Sequence, residues 1–428
     1  MMTFFGQRFF RSPLLLIAIA NVIVVGIAFA VIGIDAETSS DLNVYYRPLA
    51  ISLLEGRGLE YAPGAPATYQ LPGYGVLLVP VYAAVRGWGI SEAHGLALFT
   101  LLCTTLTSVF IAATARQLWG TRLAAFVAAA LWITYPFGLW MNTQFNNEVP
   151  FLMVLYAGVW VLVVALQRGI PAYRLYLLTG ILLGMSTLIR ATGIGMLPLA
   201  ALAVVVVGVR LPLRARLIGA ALILSGGLVT ILPWQVWLMQ NTSQFTFLAG
   251  NAGVRNLSMG MTAALASNRS DLFVTEDVEA LKPELVLRRN EVRSVGDFTR
   301  VLWEEFQQQP LAMTRYFFVR IIQTWYSTSS GRYQEISLWV QLPYLLLFAL
   351  ALVRSWRWGG IRRRWLIVFS LFVLYFWGTS TITFSLLRYL IPGLGFWMIL
   401  LPSLIPHAVL SDASTAVATT TQSDAQTA

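Results

Sequence analysis

The residues that could do chemistry gather at the ends of apolar runs. Asp35 and Asp41 follow the first such run in DAETSSDLNVYYRPLA, with Tyr45 and Tyr46 close behind. Glu148 opens a later run in NNEVPF, Arg190 closes another in LIRATG, and Arg388 stands in LLRYLIP with Tyr389 beside it. A carboxylate in such a setting can take a proton from a hydroxyl or orient it for attack. Arginine presents a planar fork of donors that fits a phosphate at two points. Ionisable groups at a membrane boundary are costly to keep, which favours a working role for a cluster of them. Each also has a plainer reading. Asp41 fits a solvated loop carboxylate, and Asp35 and Glu37 plain boundary charges. The tyrosines fit a belt of interfacial aromatics, and the arginines side chains that snorkel to the headgroups.

Other chemistries leave little trace. There is no phosphate-binding glycine loop, no G-x-S-x-G and no dinucleotide fingerprint. His94 and His407 are far apart, Cys103 is the one cysteine, and Asp35-Ala36-Glu37 is a bare acid-x-acid pair, weak as a cation site. No metal site, and no cofactor, is indicated.

Composition says what must position these groups. Of 428 residues, 57% are hydrophobic and 11% charged, against about 25% charged in soluble domains. Ten segments approach the roughly 20 apolar residues that cross a bilayer. They lie near 13–34, 93–115, 123–141, 149–167, 175–189, 193–208, 217–239, 337–353, 365–384 and 390–407. With the N-terminus inside, the inner segments hold Arg8, Arg11, Arg116, Arg122, Arg168, Arg174, Arg210, Arg214 and Arg216, then Arg354, Arg357, Arg362, Arg363 and Arg364. Their acids are Asp412 and Asp424 in the tail alone; the other acids fall on the opposite side. This is the positive-inside pattern. The net charge of +10 is thus mostly a topology signal, and no nucleic-acid partner is expected.

The expected fold is all-α and integral to the membrane, with about 10–11 transmembrane helices. Residues 1–408 are expected to form one polytopic domain with outer loops at about 35–92 and 240–336. Residues 409–428, rich in Ser, Thr and Ala, fit a disordered cytoplasmic tail. Arg8, Arg11 and Ala28-Phe29-Ala30 resemble a cleavable signal, yet the apolar run exceeds the ~7–15 residues of a signal core. An uncleaved anchor is the expectation, and either choice leaves Asp41 outside. In the first outer loop, Pro48–Leu54 reads as a short helix ended by Gly56. Pro72-Gly73 then punctuates a turn before the apolar Val76–Val85. An amphipathic helix, a turn and an apolar helix would roof a cavity. In the second, Asp297–Gln308 has a helical apolar stripe. Leu311–Tyr326, with Arg315 and Arg320, fits a helix in the interface better than an eleventh span.

With these residues in place, SDLNVYYRPLAISLLEGRGLEY and PATYQLPGYGVLLVPVYAAVRG resemble the first outer loop of polytopic GT-C-type glycosyltransferases. The group is the one with protein O-mannosyltransferases and the lipid A aminoarabinose transferase. NNEVPFLMVLYAGVWVL, GILLGMSTLIRATGIGMLPLA, LPWQVWLMQNTSQFTFLAGNAGVRNLSMG and RYLIPGLGFWMIL follow in the family's order. The resemblance implies a hexosyl- or pentosyltransferase of the cell (inner) membrane that takes sugar from a polyprenyl-phosphate donor to an unknown acceptor outside. It implies Asp41 as base or acceptor-orienting group, with Asp35 second. Arg190, Arg388 and Tyr389 would hold the donor phosphate, and Tyr45, Glu148, Asn251, Arg255 and Asn256 would line the pocket. Where relatives carry a basic residue before Pro72, this chain has Gln70 and Leu71, so another arginine must serve the phosphate. A transporter of lipid-linked sugars is the main alternative, although such proteins usually place charges at mid-membrane and show repeats. A non-catalytic assembly subunit is the other.

Overall fold

The computed structural model describes residues 12–35, 41–242, 248, 252–263, 265, 273–328 and 333–405. Asn251, His407 and the tail lie outside them. The chain forms helix upon helix. α1 (Pro13–Ile32) is followed by α2 (Arg47–Leu54), α3 (Gly73–Trp88) and α4 (Glu92–Trp119). Next come α5 (Arg122–Ile133), α6 (Pro136–Asn142), α7 (Glu148–Gln167), α8 (Tyr173–Ile189), α9 (Met196–Val207) and α10 (Leu213–Thr242). A run of shorter helices follows: α11 (Ala252–Ala263), α12 (Glu276–Glu279), α13 (Lys282–Arg288), α14 (Val295–Gln308) and α15 (Pro310–Gln323). The chain then returns to long helices in α16 (Gln334–Trp358), α17 (Gly360–Ile382) and α18 (Leu387–Leu400). Among the described residues, 7 helices are long and apolar enough to cross a membrane alone. The bent pair α5–α6 adds an eighth, and α8 and α9 are shorter apolar helices. The molecule is an all-α, multi-pass membrane protein.

One expected helix is broken. Residues 123–141 read as a single span, but α5 and α6 meet at 62°. Pro136 supplies no N–H to continue the ladder and pushes Tyr135 into an extended conformation (φ −68°, ψ 114°), so the helix restarts in a new direction. The loop after α1 also holds a two-stranded hairpin, β1 (Glu60–Ala62) with β2 (Ala65–Pro66), turned by Gly64 at φ +76°.

Packing within the bundle relies on small residues, as expected where lipid provides no hydrophobic drive between helices. A Cβ on Gly180 would lie 2.1 Å from the Ile223 carbonyl oxygen, and one on Gly184 would lie 2.9 Å from that of Gly227. Helices α8 and α10 therefore touch backbone to backbone. Asn21, buried in α1, donates to Thr104 and Thr105 of α4 at 3.1 and 2.9 Å and accepts from Ser108 at 2.9 Å. Helices α11–α15 build a second, smaller core around Met261, Val278, Leu285, Val301, Met313 and Tyr316.

Candidate active site

The ends of α1, α8 and α17 and the starts of α4, α7 and α18 share one end of the bundle, and the loop after α1 closes over it. Asp41 opens a wide helical turn, Leu42–Tyr46, that runs straight into α2. Tyr46 is buried, 4.9 Å from Tyr74 in an edge-on contact. The Tyr74 hydroxyl donates to the carbonyl of Phe145 at 2.7 Å. Gly73 is required here, because a Cβ at this position would come within 2.6 Å of the Leu188 carbonyl oxygen. The loop is thereby seated against the last turn of α8, two residues before Arg190.

Arg190 leaves α8 in an extended conformation (φ −148°, ψ 124°). A short 3-10 turn follows, braced by the Tyr375 hydroxyl, which donates to Thr192 O at 2.7 Å and accepts from Gly195 N at 3.2 Å. The guanidinium is thus aimed at the N-terminus of α7. There its Nη1 meets Glu148 Oε1 at 2.8 Å and donates to Asn147 Oδ1 at 3.3 Å. Asn147 in turn donates to the Tyr46 hydroxyl at 2.9 Å, tying the ion pair to the loop. A carboxylate in the first turn of a helix is also favoured by the helix dipole.

Arg388 approaches from the other side. Before it the chain turns at Ser385 (φ 53°). Leu387 N then donates to Ser327 O at 3.0 Å, and Ser380 Oγ donates to Leu386 O at 3.0 Å. Arg388 Nε lies 4.0 Å from Glu148 Oε1, and its Nη2 donates to the Tyr389 hydroxyl at 2.7 Å. The Tyr389 ring sits between the two guanidinium groups, 4.7 Å from Arg190 and 4.8 Å from Arg388. Glu148 and Arg190 are buried, whereas the side chain of Arg388 is 30% exposed. Among the described residues, Glu148 Oε2 and Arg388 Nε have no hydrogen-bond partner. Burying a charged group in that state is costly.

Asp41 reaches solvent from a recess of low-dielectric protein. That loss of water raises its pKa above the ordinary carboxylate value, against the pull of Arg388 and with a smaller push from Glu148. Arg190 and Arg255 also act on it electrostatically. The structure therefore brings Asp41, Glu148, Arg190, Arg388 and Tyr389 into one electrostatic cluster. Tyr45 joins from the side: its ring stacks on Tyr69 at 4.9 Å and tilts against Tyr61 at 5.4 Å. Arg255 of α11 donates to the Tyr69 hydroxyl. Asp35 and Asn256 are exposed, and the ion pairs of Glu148 go to Arg190 and Arg388. Leu71 is buried in the main core, so the position next to Pro72 serves packing. Among the described residues no three His, Cys, Asp or Glu side chains gather as a metal site.

Sequence reasoning passed over Asn147 and read Tyr46 only as an interfacial aromatic; the two stand 101 residues apart in the chain, which gives no cue to their bond. It also missed Arg320. This buried guanidinium donates to Gly260 O at 2.8 Å, Thr381 O at 2.8 Å, Ile382 O at 3.0 Å and Thr383 O at 2.6 Å. A basic residue on an apolar helix read as an interfacial charge. It is instead a clasp between α11, α15 and the end of α17.

An acid, two guanidiniums and a tyrosine at the rim of a helix bundle suit a phosphate-bearing lipid substrate. Residues 88–237 match the dolichyl-phosphate-mannose-protein mannosyltransferase family. The match supports a membrane glycosyltransferase of the GT-C type. It bears out the resemblance read from the sequence over a stretch that contains Glu148 and Arg190, while Asp41 and Arg388 lie outside it. No curated protein matches the chain.

Proposed function

We propose that the chain transfers a sugar from a polyprenyl-phosphate donor to a hydroxyl-bearing acceptor, with the Asp41 end of the bundle on the outer face of the cell membrane. The observation that carries the reading is the buried Glu148 shared by Arg190 and Arg388, with Asp41 close enough to feel the charge of all three.

In this reading Arg388 and Arg190 hold the donor phosphate and stabilise the charge that grows on it as the glycosidic C–O bond breaks. Glu148 keeps both guanidiniums in place before the donor arrives, and Tyr389 fixes their planes. Asp41, in its carboxylate form, takes the acceptor hydroxyl's proton as that oxygen attacks the anomeric carbon. The leaving group departs as polyprenyl phosphate. One displacement gives inversion. The raised pKa of Asp41 suits a group that must accept a proton and then give it up to solvent.

Purified protein incubated with a labelled polyprenyl-phosphate sugar and a panel of hydroxyl acceptors tests the proposal. Wild-type protein should release polyprenyl phosphate and form a product of inverted configuration, and Asp41→Asn protein should do so at least about a hundredfold more slowly. Equal rates, or movement of intact donor between vesicles without cleavage, would sink it.

A further inference from the structure

At the opposite end of the bundle, α16 and α17 leave a groove of about 530 Å³ open to the exterior. Its walls are Leu352, Val353, Trp356, Leu366, Leu371 and Leu374, with Arg357 at its mouth. From residue 363 to Ile382, at the end of α17 nearest Arg388, the helix rises about 28 Å, so the mouth lies about a bilayer's thickness from that end of α17. Exposed Leu346, Leu350 and Val353 continue the apolar surface along α16, which marks this face as one that meets hydrocarbon.

The mouth is cationic and aromatic. The Arg363 guanidinium lies 3.7 Å from the centre of the Trp356 ring. Arg354, Arg357, Arg362, Arg363 and Arg364 crowd residues 354–364, and no acid stands between Glu335 and Asp412. Tryptophan favours the headgroup level of a bilayer, and a guanidinium held flat on its face keeps its edge donors free for a phosphate. An apolar slot of that size below two arginines fits a phosphate ester with a hydrocarbon chain attached. A zwitterionic headgroup would bring a second cation to an already positive mouth.

We propose that the α16–α17 groove is a binding site for an anionic phospholipid, its phosphate on Arg357 and Arg363 and one acyl chain along Leu352, Leu366 and Leu371. The site is separate from the Asp41 recess and does not depend on the transfer reaction.

Full-length protein in mixed phosphatidylglycerol–phosphatidylcholine nanodiscs tests this, with a diazirine-tagged acyl chain on one lipid or the other. Crosslinks mapped to residues 352–374 should be several-fold more frequent with phosphatidylglycerol. An Arg357→Gln, Arg363→Gln double variant should bring the two probes to equality. Leu371→Trp, which fills the groove and keeps the charges, should depress labelling by both, while labelling of α1 reports intact folding in each sample. Equal labelling of wild-type protein by the two lipids would overturn the proposal. So would an undiminished preference in the double variant, or full labelling of a folded Leu371→Trp protein.

Discussion

Replacing Glu148 by glutamine keeps the side chain's volume and one acceptor oxygen but deletes the charge between two guanidiniums. Arg190 would keep a neutral bond in place of the 2.8 Å ion pair, and Arg388 at 4.0 Å would lose its counter-charge. Asp41 and Glu148 balance Arg190 and Arg388 in the native cluster; the variant leaves one positive charge over. Breaking a buried pair from one side costs about 3–5 kcal/mol, and the retained amide returns about 1 kcal/mol. Folding stability should therefore fall by roughly 2–4 kcal/mol, the difference of those two figures. A phosphate docked on the arginines would supply the missing charge. Polyprenyl phosphate should accordingly raise the Tm of Glu148→Gln protein more than that of the wild type. It should also bind about tenfold more tightly, which needs only about 1.4 kcal/mol of relieved competition. Thermal unfolding in detergent, with and without the lipid phosphate, reads both quantities. A variant as stable as the wild type, with an unchanged ligand shift, would refute the assignment of Glu148 as the counter-charge.

Three further outcomes are expected. Because burial raises the Asp41 pKa, the folded state holds that proton more tightly than the unfolded one, so this group adds stability as pH falls through the raised pKa and detracts from it above. Asp41→Asn protein should lose transfer yet melt no lower than wild type at neutral pH, and the wild-type rate should fade on the acid side above the usual carboxylate range; pH–rate profiles and melting curves check this. Arg320→Met would strand four carbonyls, that of Gly260 buried and the other three part-buried, at about 1–3 kcal/mol for the buried one alone, and hydrogen exchange should quicken in both α11 and residues 381–386. Gly73→Ala would force a Cβ toward the Leu188 carbonyl, at about 1–3 kcal/mol, and should slow transfer through displacement of the loop; a rate equal to wild type would contradict the tight seating.

The helices and much of the cluster were legible because hydropathy and charge are properties of single residues. Runs near 93–115 and 149–167 fall inside α4 and α7, and Glu148, Arg190 and Arg388 stood out as charges at the edges of apolar runs. What stayed hidden depends on partners that carry no sequence code. Arg320 satisfies itself on backbone carbonyls, which every residue has. Asn147 works by bridging Tyr46 and Arg190 across three segments. The 62° bend turned on one proline inside a run whose hydropathy was otherwise that of a single span. Arg255 reached the loop through Tyr69, a contact between segments far apart in the chain.

Arg320 joins two regions that the chain separates by more than a hundred residues. On one side it grips Gly260 of α11, the helix that carries Arg255; on the other it grips Thr381–Thr383, a few residues before Arg388. Gly260 lets these backbones touch, since a Cβ there would overlap the Thr383 carbonyl. The small helical core therefore cannot tilt without disturbing the turn that aims Arg388. Under the proposed reaction, a shift of α11 on acceptor binding would be shared with Arg388. By thermodynamic reciprocity, a donor bound on Arg388 would then alter acceptor affinity by the same factor.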